Sequence, residues 1–333
     1  MTGGALSLTK TPQFGFASST NDQEDLLTAK EHADLPAHPA VWTRQPGTAP
    51  VAVVMISLNE AHNMEAVLQN LKGWAQEVFL VDSYSADTTV DIALRHGVHV
   101  VQREFRGFAD QWNFAMRELP ISAPWTMKLD PDERLPDPLK RSLISATSSD
   151  DADGLTLDLR LWFMDRPLPI KLIKFLRLWR TGRCRFTDVQ VNEHPLVDGT
   201  IRHVHAELEH HDSPDLDHWL HKQNCYTTAE AVTAYQGLKL AGEPRLLGSS
   251  FERRMWLKKH YTRVPLRYQA MFLYHYFGLG AYRAGWVGYA WSRLRCDVYR
   301  LQEYKLREMR LTGRLPMKKF YGPGRPDPRV PQF

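Results

Sequence analysis

Two carboxylates separated by one residue, Asp130 and Asp132, follow the apolar run Trp125–Leu129, and Glu133 stands directly after them. At the end of a strand that spacing lets both converge on a hard divalent cation. Mg2+ or Mn2+ takes oxygen ligands and commonly shares them with substrate phosphates. The same Asp-Pro-Asp-Glu string also makes an ordinary turn. Asp82 ends a second apolar run, Glu77–Val81, where it can accept hydrogen bonds from a ligand or cap the turn that follows. Ser57, Asn59 and Glu60 end a third, Val51–Ser57, with Glu60 and Asn63 equally suited to starting a helix. Farther on stand Glu193, in Val-Asn-Glu-His-Pro, and the pair His210 and His211, in Glu-His-His-Asp. By residue type alone Glu193 is a solvated loop carboxylate. Neighbouring histidines on a regular strand point to opposite faces, so at most one of the pair can enter a site. Arg177 and Arg180 could meet an anion or merely solvate a strand edge.

The elements that position these residues alternate. Val51–Ser57 is a short β-branched run of the kind buried in a parallel sheet, and Met64, Val67, Leu68 and Leu71 are spaced for one buried helix face. Strand Glu77–Val81, helix Thr88–His96 closed by Gly97, strand Val98–Gln102, helix Phe108–Glu118 and strand Trp125–Leu129 follow with short connections. Such alternation predicts a mainly parallel sheet covered on both faces, with ligands bound beyond the carboxyl ends of its strands. Leu155–Phe163 and Ile201–Leu208 instead alternate residue by residue, as half-buried strands do. Beyond Leu216 the pattern is helical, over His218–Tyr235, Glu252–Tyr261, Pro265–Phe277 and Gly280–Arg310.

The 333 residues are 43% hydrophobic and 24% charged, enough for a globular core. Three scattered cysteines with no CxxC pair exclude a disulfide scaffold and a Cys-rich zinc site, and fit a reducing compartment. No uncharged apolar stretch is long enough to cross a bilayer, and the first 40 residues lack the pattern of a secretory signal. The net charge of +4 hides an uneven distribution. Residues 251–320 hold 16 Lys/Arg against 4 Asp/Glu, whereas the other 263 residues hold 26 against 34. The organisation read from these patterns is a disordered leader over 1–50, a catalytic domain over 51–250, a basic aromatic helical extension over 251–312 and a Pro/Gly-rich tail over 313–333.

In combination the segments are more specific than any part. ISLNEAHNMEAVLQNL, EVFLVDSYSADTTVDIA, RGFADQWNFAM and WTMKLDPDERL resemble, in order and spacing, the inverting glycosyltransferases of family 2 with the GT-A fold. LRLWRTGRCRF, VNEHP, LEHHD and LHKQNCYTTAEA look most like the lipopolysaccharide-core β-glucosyltransferase branch. The resemblance spans about residues 51–310. It implies a GT-A-like α/β fold: a mainly parallel sheet flanked by helices, a β-rich acceptor-side continuation and a helical C-terminal part. It also implies a nucleotide-sugar donor, with UDP-glucose leading, held near Ser57, Asn59, Glu60, Asp82 and Asp130. Asp130, Asp132 and His211 would hold Mg2+ or Mn2+, and Glu193 would be the base that deprotonates the acceptor, with His194 its neighbouring competitor. Three residues depart from the family pattern: Tyr84 where glycine is usual, Pro131 where alanine is common, and Trp112 in place of a basic residue.

Phe251–Arg300 interleaves 13 aromatics with Lys and Arg. That composition suits an anionic membrane interface, helices packed on the catalytic domain, or phosphate contacts with nucleic acid. The family resemblance argues against nucleic acid and for a glycan or glycolipid acceptor at the inner face of a cytoplasmic membrane, reached by a cytoplasmic, peripheral enzyme. The competing readings are a polyprenyl-phosphate sugar transferase, which normally brings membrane-spanning helices, and a catalytically silent sugar-nucleotide or polyanion binder.

Overall fold

The computed structural model describes residues 49–170, 173–187, 194–237, 247 and 265–316. The leader up to residue 48, the helix expected over Glu252–Tyr261, most of the tail and Glu193 lie outside the described residues.

The first half alternates as its sequence predicts. β1 (Val51–Ser57), α1 (Ala61–Leu71), β2 (Glu77–Asp82), α2 (Thr89–Arg95), β3 (His99–Gln102), α3 (Phe108–Glu118) and β4 (Trp125–Lys128) follow one another. β1 pairs in parallel with both β2 and β4, and β2 with β3. Odd and even residues of β1 enter two different cores. Val51, Val53 and Met55 pack with Met64, Val67, Leu68 and Leu71 of α1, while Ala52 and Val54 pack with Trp112 and Ala115 of α3. Burial on both faces is why the run is continuously apolar. Each such Val, Leu or Met contributes roughly 1.5–3 kcal/mol when fully removed from water.

The second half adds β5 (Glu133–Arg134), α4 (Asp137–Ser148), β6 (Gly154–Phe163), β7 (Arg166–Pro167), β8 (Ile173–Arg180), β9 (Cys184–Phe186), β10 (Pro195–Val197) and β11 (Ile201–His211). The sheet runs in the order β3-β2-β1-β4-β8-β6-β11-β5, with β7 on β6. β8 is antiparallel to both neighbours, which turns β6 and β11 back into the direction of β1 and β4. The carboxyl ends of β4, β6 and β11 therefore come to one side. On β6, Leu155, Leu157 and Leu159 join the larger core, whereas Thr156, Asp158 and Arg160 stay partly exposed on the other face. The mainly parallel sheet flanked by helices and its β-rich continuation are thus as the sequence predicts. β8 and α4, which the sequence analysis did not anticipate, complete it.

The C-terminal part is helical: α5 (Leu216–Tyr235), α6 (Arg267–Leu273), a π turn at Tyr274–Gly278, a 3-10 turn at Ala281–Ala284 and α7 (Gly285–Thr312). Trp219, Ala281 and Trp291 pack on Phe163, Leu168 and Ile170, which ties these helices to the end of β6. A Cβ at Gly288 would fall 1.8 Å from the carbonyl oxygen of Ala281, so only glycine lets α7 cross the 3-10 turn so closely. Among the described residues no helix is long and apolar enough to cross a membrane.

Candidate active site

The loop after β1 and the loop after β2 are laced together. The Asn59 amide donates to Ser85 Oγ (2.8 Å), Ala86 N–H to Asn59 Oδ1 (2.8 Å), Glu60 N–H to Thr89 Oγ1 (2.8 Å) and Ala61 N–H to Asp87 Oδ2 (3.2 Å). Behind them Asp82 is fully buried. Its carboxylate accepts from Ser57 Oγ (2.9 Å), from the Ser85 amide and hydroxyl (2.8 and 2.5 Å) and from Gln102 Nε2 (3.0 Å). Four donors from the chain itself fill the acceptor capacity of one carboxylate. Ser57 and Asp82 thus stand together, and Asn59 and Glu60 form the rim above them.

The acidic turn is built differently. Arg177, buried on β8, pairs with buried Glu133 and lies 3.4 Å from Asp130 Oδ2. Arg134 donates to the carbonyls of Pro131 (2.6 Å) and Asn63 (3.2 Å), fastening the turn to α1. The Asp130 side chain remains about one-third exposed. Asp132 is buried and meets two cations: His210 Nε2 at 3.1 Å and Lys222 Nζ at 3.3 Å from its Oδ2. Lys222 also bonds Asp212 Oδ1 at 2.8 Å. Burial would raise Asp132, but His210 and Lys222 outweigh it and hold its carboxyl far below the ordinary carboxylate range. Burial likewise opposes charge on His210, yet Asp132 raises that imidazole to about 9. Glu60 closes the corner on the α1 side. Burial, reinforced by Asp132 and Asp130, raises it to about 7 against the opposing pull of the Asn63 hydrogen bond and Lys222.

Asp132, His210 and Asp212 offer ligand atoms that all lie within 4.8 Å of one another. Asp132 Oδ1 is buried and has no hydrogen-bond partner, and neither does His210 Nδ1. An orphaned carboxylate oxygen beside a second carboxylate and an imidazole fits a divalent cation. Oxygen-rich donors of this kind suit Mg2+ or Mn2+.

Residues 52–203 match the family described as Glycosyl transferase family 2. The chain carries a family 2 glycosyltransferase domain. It is 26% identical over 228 residues to the lipopolysaccharide core biosynthesis glycosyltransferase LpsC of Rhizobium meliloti (strain 1021), covering 65% of this chain and 82% of that relative. An uncharacterized glycosyltransferase of Rickettsia bellii (strain RML369-C) is 32% identical over 120 residues, 36% of this chain and 40% of its own length. Among solved structures, the mannosyltransferase PcManGT from Pyrobaculum calidifontis in complex with GDP-Man and Mn2+ aligns at 14% identity with a TM-score of 0.43, covering 78% of this chain and 87% of that one.

Within this glycosyltransferase, the histidine that reaches Asp132 is His210, and the His211 assigned from the sequence points elsewhere. His211 stacks on Trp162 at 4.6 Å, with Nε2 3.3 Å from Glu209. Strand alternation separates the pair, as expected, but antiparallel pairing of His210 with Glu133 selects the first histidine for the corner. Asp130 and Asp132 share the turn yet take different partners, Arg177 for one and His210 with Lys222 for the other. Asp212 and Lys222 were not singled out from sequence. Asp212 lay in the quoted Glu-His-His-Asp string, whereas nothing in spacing or composition marks Lys222. Glu193 lies outside the described residues. On either side of it β9 and β10 pair antiparallel, closed by bonds between Thr187 and His194 of 3.0 and 3.1 Å.

Two family departures have local explanations. Tyr84 adopts φ +59°, the left-handed conformation for which glycine is the least strained residue. Trp112 is fully buried, stacks on Phe186 and carries Lys128 Nζ 4.5 Å over its ring, so a cation still stands beside it. Arg180 binds Asp150 and lies over Trp125, away from the acidic turn.

Proposed function

We propose that the enzyme transfers a sugar, with glucose from UDP-glucose the leading donor, to a lipopolysaccharide or other cell-surface glycan, with inversion at the anomeric carbon. The observation that carries the metal-dependent form of this reading is the cluster of Asp132, His210 and Asp212, with Asp132 Oδ1 left unpartnered. The relative named for lipopolysaccharide core biosynthesis supports the acceptor class.

In this reading the base and ribose lie along Asn59 and Glu60, over the loops that Ser57 and Asp82 hold in place, with Asp130 at the diphosphate end. Asp132, His210 and Asp212 would hold the divalent cation, which supplies positive charge for the departing nucleoside diphosphate. Arg177 and Arg134 keep the acidic turn in place. Lys222 neutralises Asp132 and Asp212 where they face each other. Glu193 takes the proton from the attacking hydroxyl on the opposite side of the sugar. Trp162 and Trp219, with Asp212, line a small recess beside the corner.

The acceptor's surface anchorage supports a peripheral membrane position. Leu273, Tyr274, Phe277, Tyr282, Trp286 and Tyr289 are all exposed along the α6–α7 connection, which itself carries only Arg283 and is flanked in sequence by the basic residues of 253–267 and 293–319. Aromatic rings with flanking cations suit the headgroup region of an anionic bilayer. Co-sedimentation with anionic vesicles should fall with salt and with Trp286→Ala; no binding to anionic vesicles removes the membrane role.

The chemical test is transfer across a nucleotide-sugar panel with Mg2+ or Mn2+, comparing wild type with Asp132→Ala. Turnover should require the cation and collapse in the variant. Undiminished turnover in Asp132→Ala removes the metal assignment.

A further inference from the structure

A second cluster lies on β6 and β11, before their carboxyl ends. Asp158 on β6 and His203 and His205 on β11 present ligand atoms that all lie within 4.8 Å of one another. Residues two apart on a strand share a face, so His203 and His205 project together. Leu157 and Leu159 face the core, which sends Asp158 to the same partly exposed side. The pairing jumps from Val204 opposite Leu157 to Glu207 opposite Asp158, so His205 and Ala206 are extra residues in a bulge. A bulge re-aims a side chain, and here the two imidazole rings stand 4.4 Å apart, edge to face.

The hydrogen bonds around His203 determine what it offers. Its Nδ1 lies 3.0 Å from Thr156 Oγ1, and that hydroxyl reaches the Arg202 carbonyl at 3.5 Å. With the hydroxyl hydrogen on the carbonyl, Thr156 accepts the Nδ1–H. Nε2 is then left with its lone pair directed at Asp158 Oδ2, 3.3 Å away. That nitrogen is buried and has no hydrogen-bond partner. In this tautomer a cation between that lone pair and the carboxylate would partner both atoms. An outer partner that fixes the tautomer in this way is the arrangement found behind metal-bound histidines. Among the described residues the neighbouring cations do not fill the place. Arg160 is committed to Glu207 at 2.5 Å, and Lys174, opposite Asp158, is exposed.

We propose that Asp158, His203 and His205 form a Zn2+ site distinct from the Asp132 corner. Two imidazoles and one carboxylate are the three-ligand set of many zinc sites with an open fourth position. The Asp132 corner, with two carboxylates and one imidazole, is the harder of the two. The donor chemistry therefore sorts the metals, Zn2+ to the histidine pair and Mn2+ to the acidic corner. Bound zinc joins β6 to β11 across the bulge, upstream of His210 on the same strand.

The test uses the full chain, stripped with a chelator and supplied with excess Mn2+ to fill the acidic corner. Zn2+ uptake is measured by dialysis and elemental analysis, and Co2+ by its visible absorption. Wild type and Asp132→Ala should each retain one Zn2+ per chain and show the intense absorption of four-coordinate Co2+. His205→Ala, at an exposed position, and Asp158→Asn should lose both. Thr156→Val, which removes only the outer partner, should weaken binding by roughly 10–100-fold. Circular dichroism confirms that each variant is folded. Failure of wild type to take up Zn2+, uptake unchanged in folded His205→Ala and Asp158→Asn, or uptake that disappears only with Asp132→Ala overturns the proposal.

Discussion

Asp82 and Asp132 are both buried carboxylates beyond the carboxyl ends of parallel strands, and they differ in what remains free. Asp82 has four donors from Ser57, Ser85 and Gln102, whereas Asp132 keeps one buried oxygen with none. Position in the sheet is therefore common to both and does not distinguish them. A carboxylate whose lone pairs are filled by its own chain positions a loop. One with an orphaned oxygen next to an imidazole and a second carboxylate has capacity for a ligand the chain does not supply.

The widest separation between the two should appear in turnover. Asp132→Asn is expected to lower metal-dependent transfer by about 100–1000-fold, the scale for removing one preorganised electrostatic contact. Asp82→Asn should change it much less. Comparable losses in kcat would erase the distinction. Stability should sort them from the other side. Asp82→Asn replaces an acceptor of four hydrogen bonds by an amide that cannot accept them all, costing about 2–3 kcal/mol in urea unfolding. A stable Asp82→Asn protein with a raised donor KM would instead make Asp82 a direct nucleotide contact.

The legibility of the sequence follows the same division. β1, α3 and the β6 alternation could be read because burial dictates residue type at every position: both faces for Val51–Ser57, one face for Leu155–Phe163. Phe108–Glu118 begins and ends where its periodicity places it. β8 escaped notice because Arg177 interrupts its apolar pattern, and that arginine is buried only because Glu133 and Asp130 receive it. The acidic corner was half legible. Asp130 and Asp132 announce themselves by spacing, but the choice of His210 over His211 depends on strand register. Lys222 enters from a helix 90 residues away from Asp132 in the chain, and no local pattern records that contact.

Protonation should separate the corners next, in chelated, metal-free protein. The His210 pKa is raised from 6.5 to about 9, so the stability from its pair with Asp132 is complete below about 6.5 and is lost as pH rises through 9. Glu60 titrates earlier. Its raised value means that the folded state holds the extra proton between about 4.5 and 7, which lowers stability across that window as pH increases. Unfolding measured from pH 7 to 9.5 should therefore decline in wild type, by on the order of 3 kcal/mol, and flatten in His210→Gln. An equal slope in both proteins would separate His210 from the decline.

The smallest effect is the most specific to the acidic corner. Lys222 Nζ sits 3.3 Å from Asp132 and 2.8 Å from Asp212, against the two carboxylates assigned to the cation. Metal and ammonium then compete for the same charge. A unit charge at this range in a partly wet site is worth roughly 1–4 kcal/mol, so Lys222→Met should tighten Mn2+ binding by about tenfold or more, read by calorimetry without donor present. In the proposed donor arrangement the same substitution also removes a cation near the diphosphate, so donor KM should rise while Mn2+ affinity improves. Those two shifts have opposite signs, which a general loss of structure cannot produce. If Lys222→Met weakens Mn2+ instead, the lysine organises the ligands rather than competing with the ion. Asp212 would then be a partner of Lys222 alone, and the cation would have only Asp132 and His210.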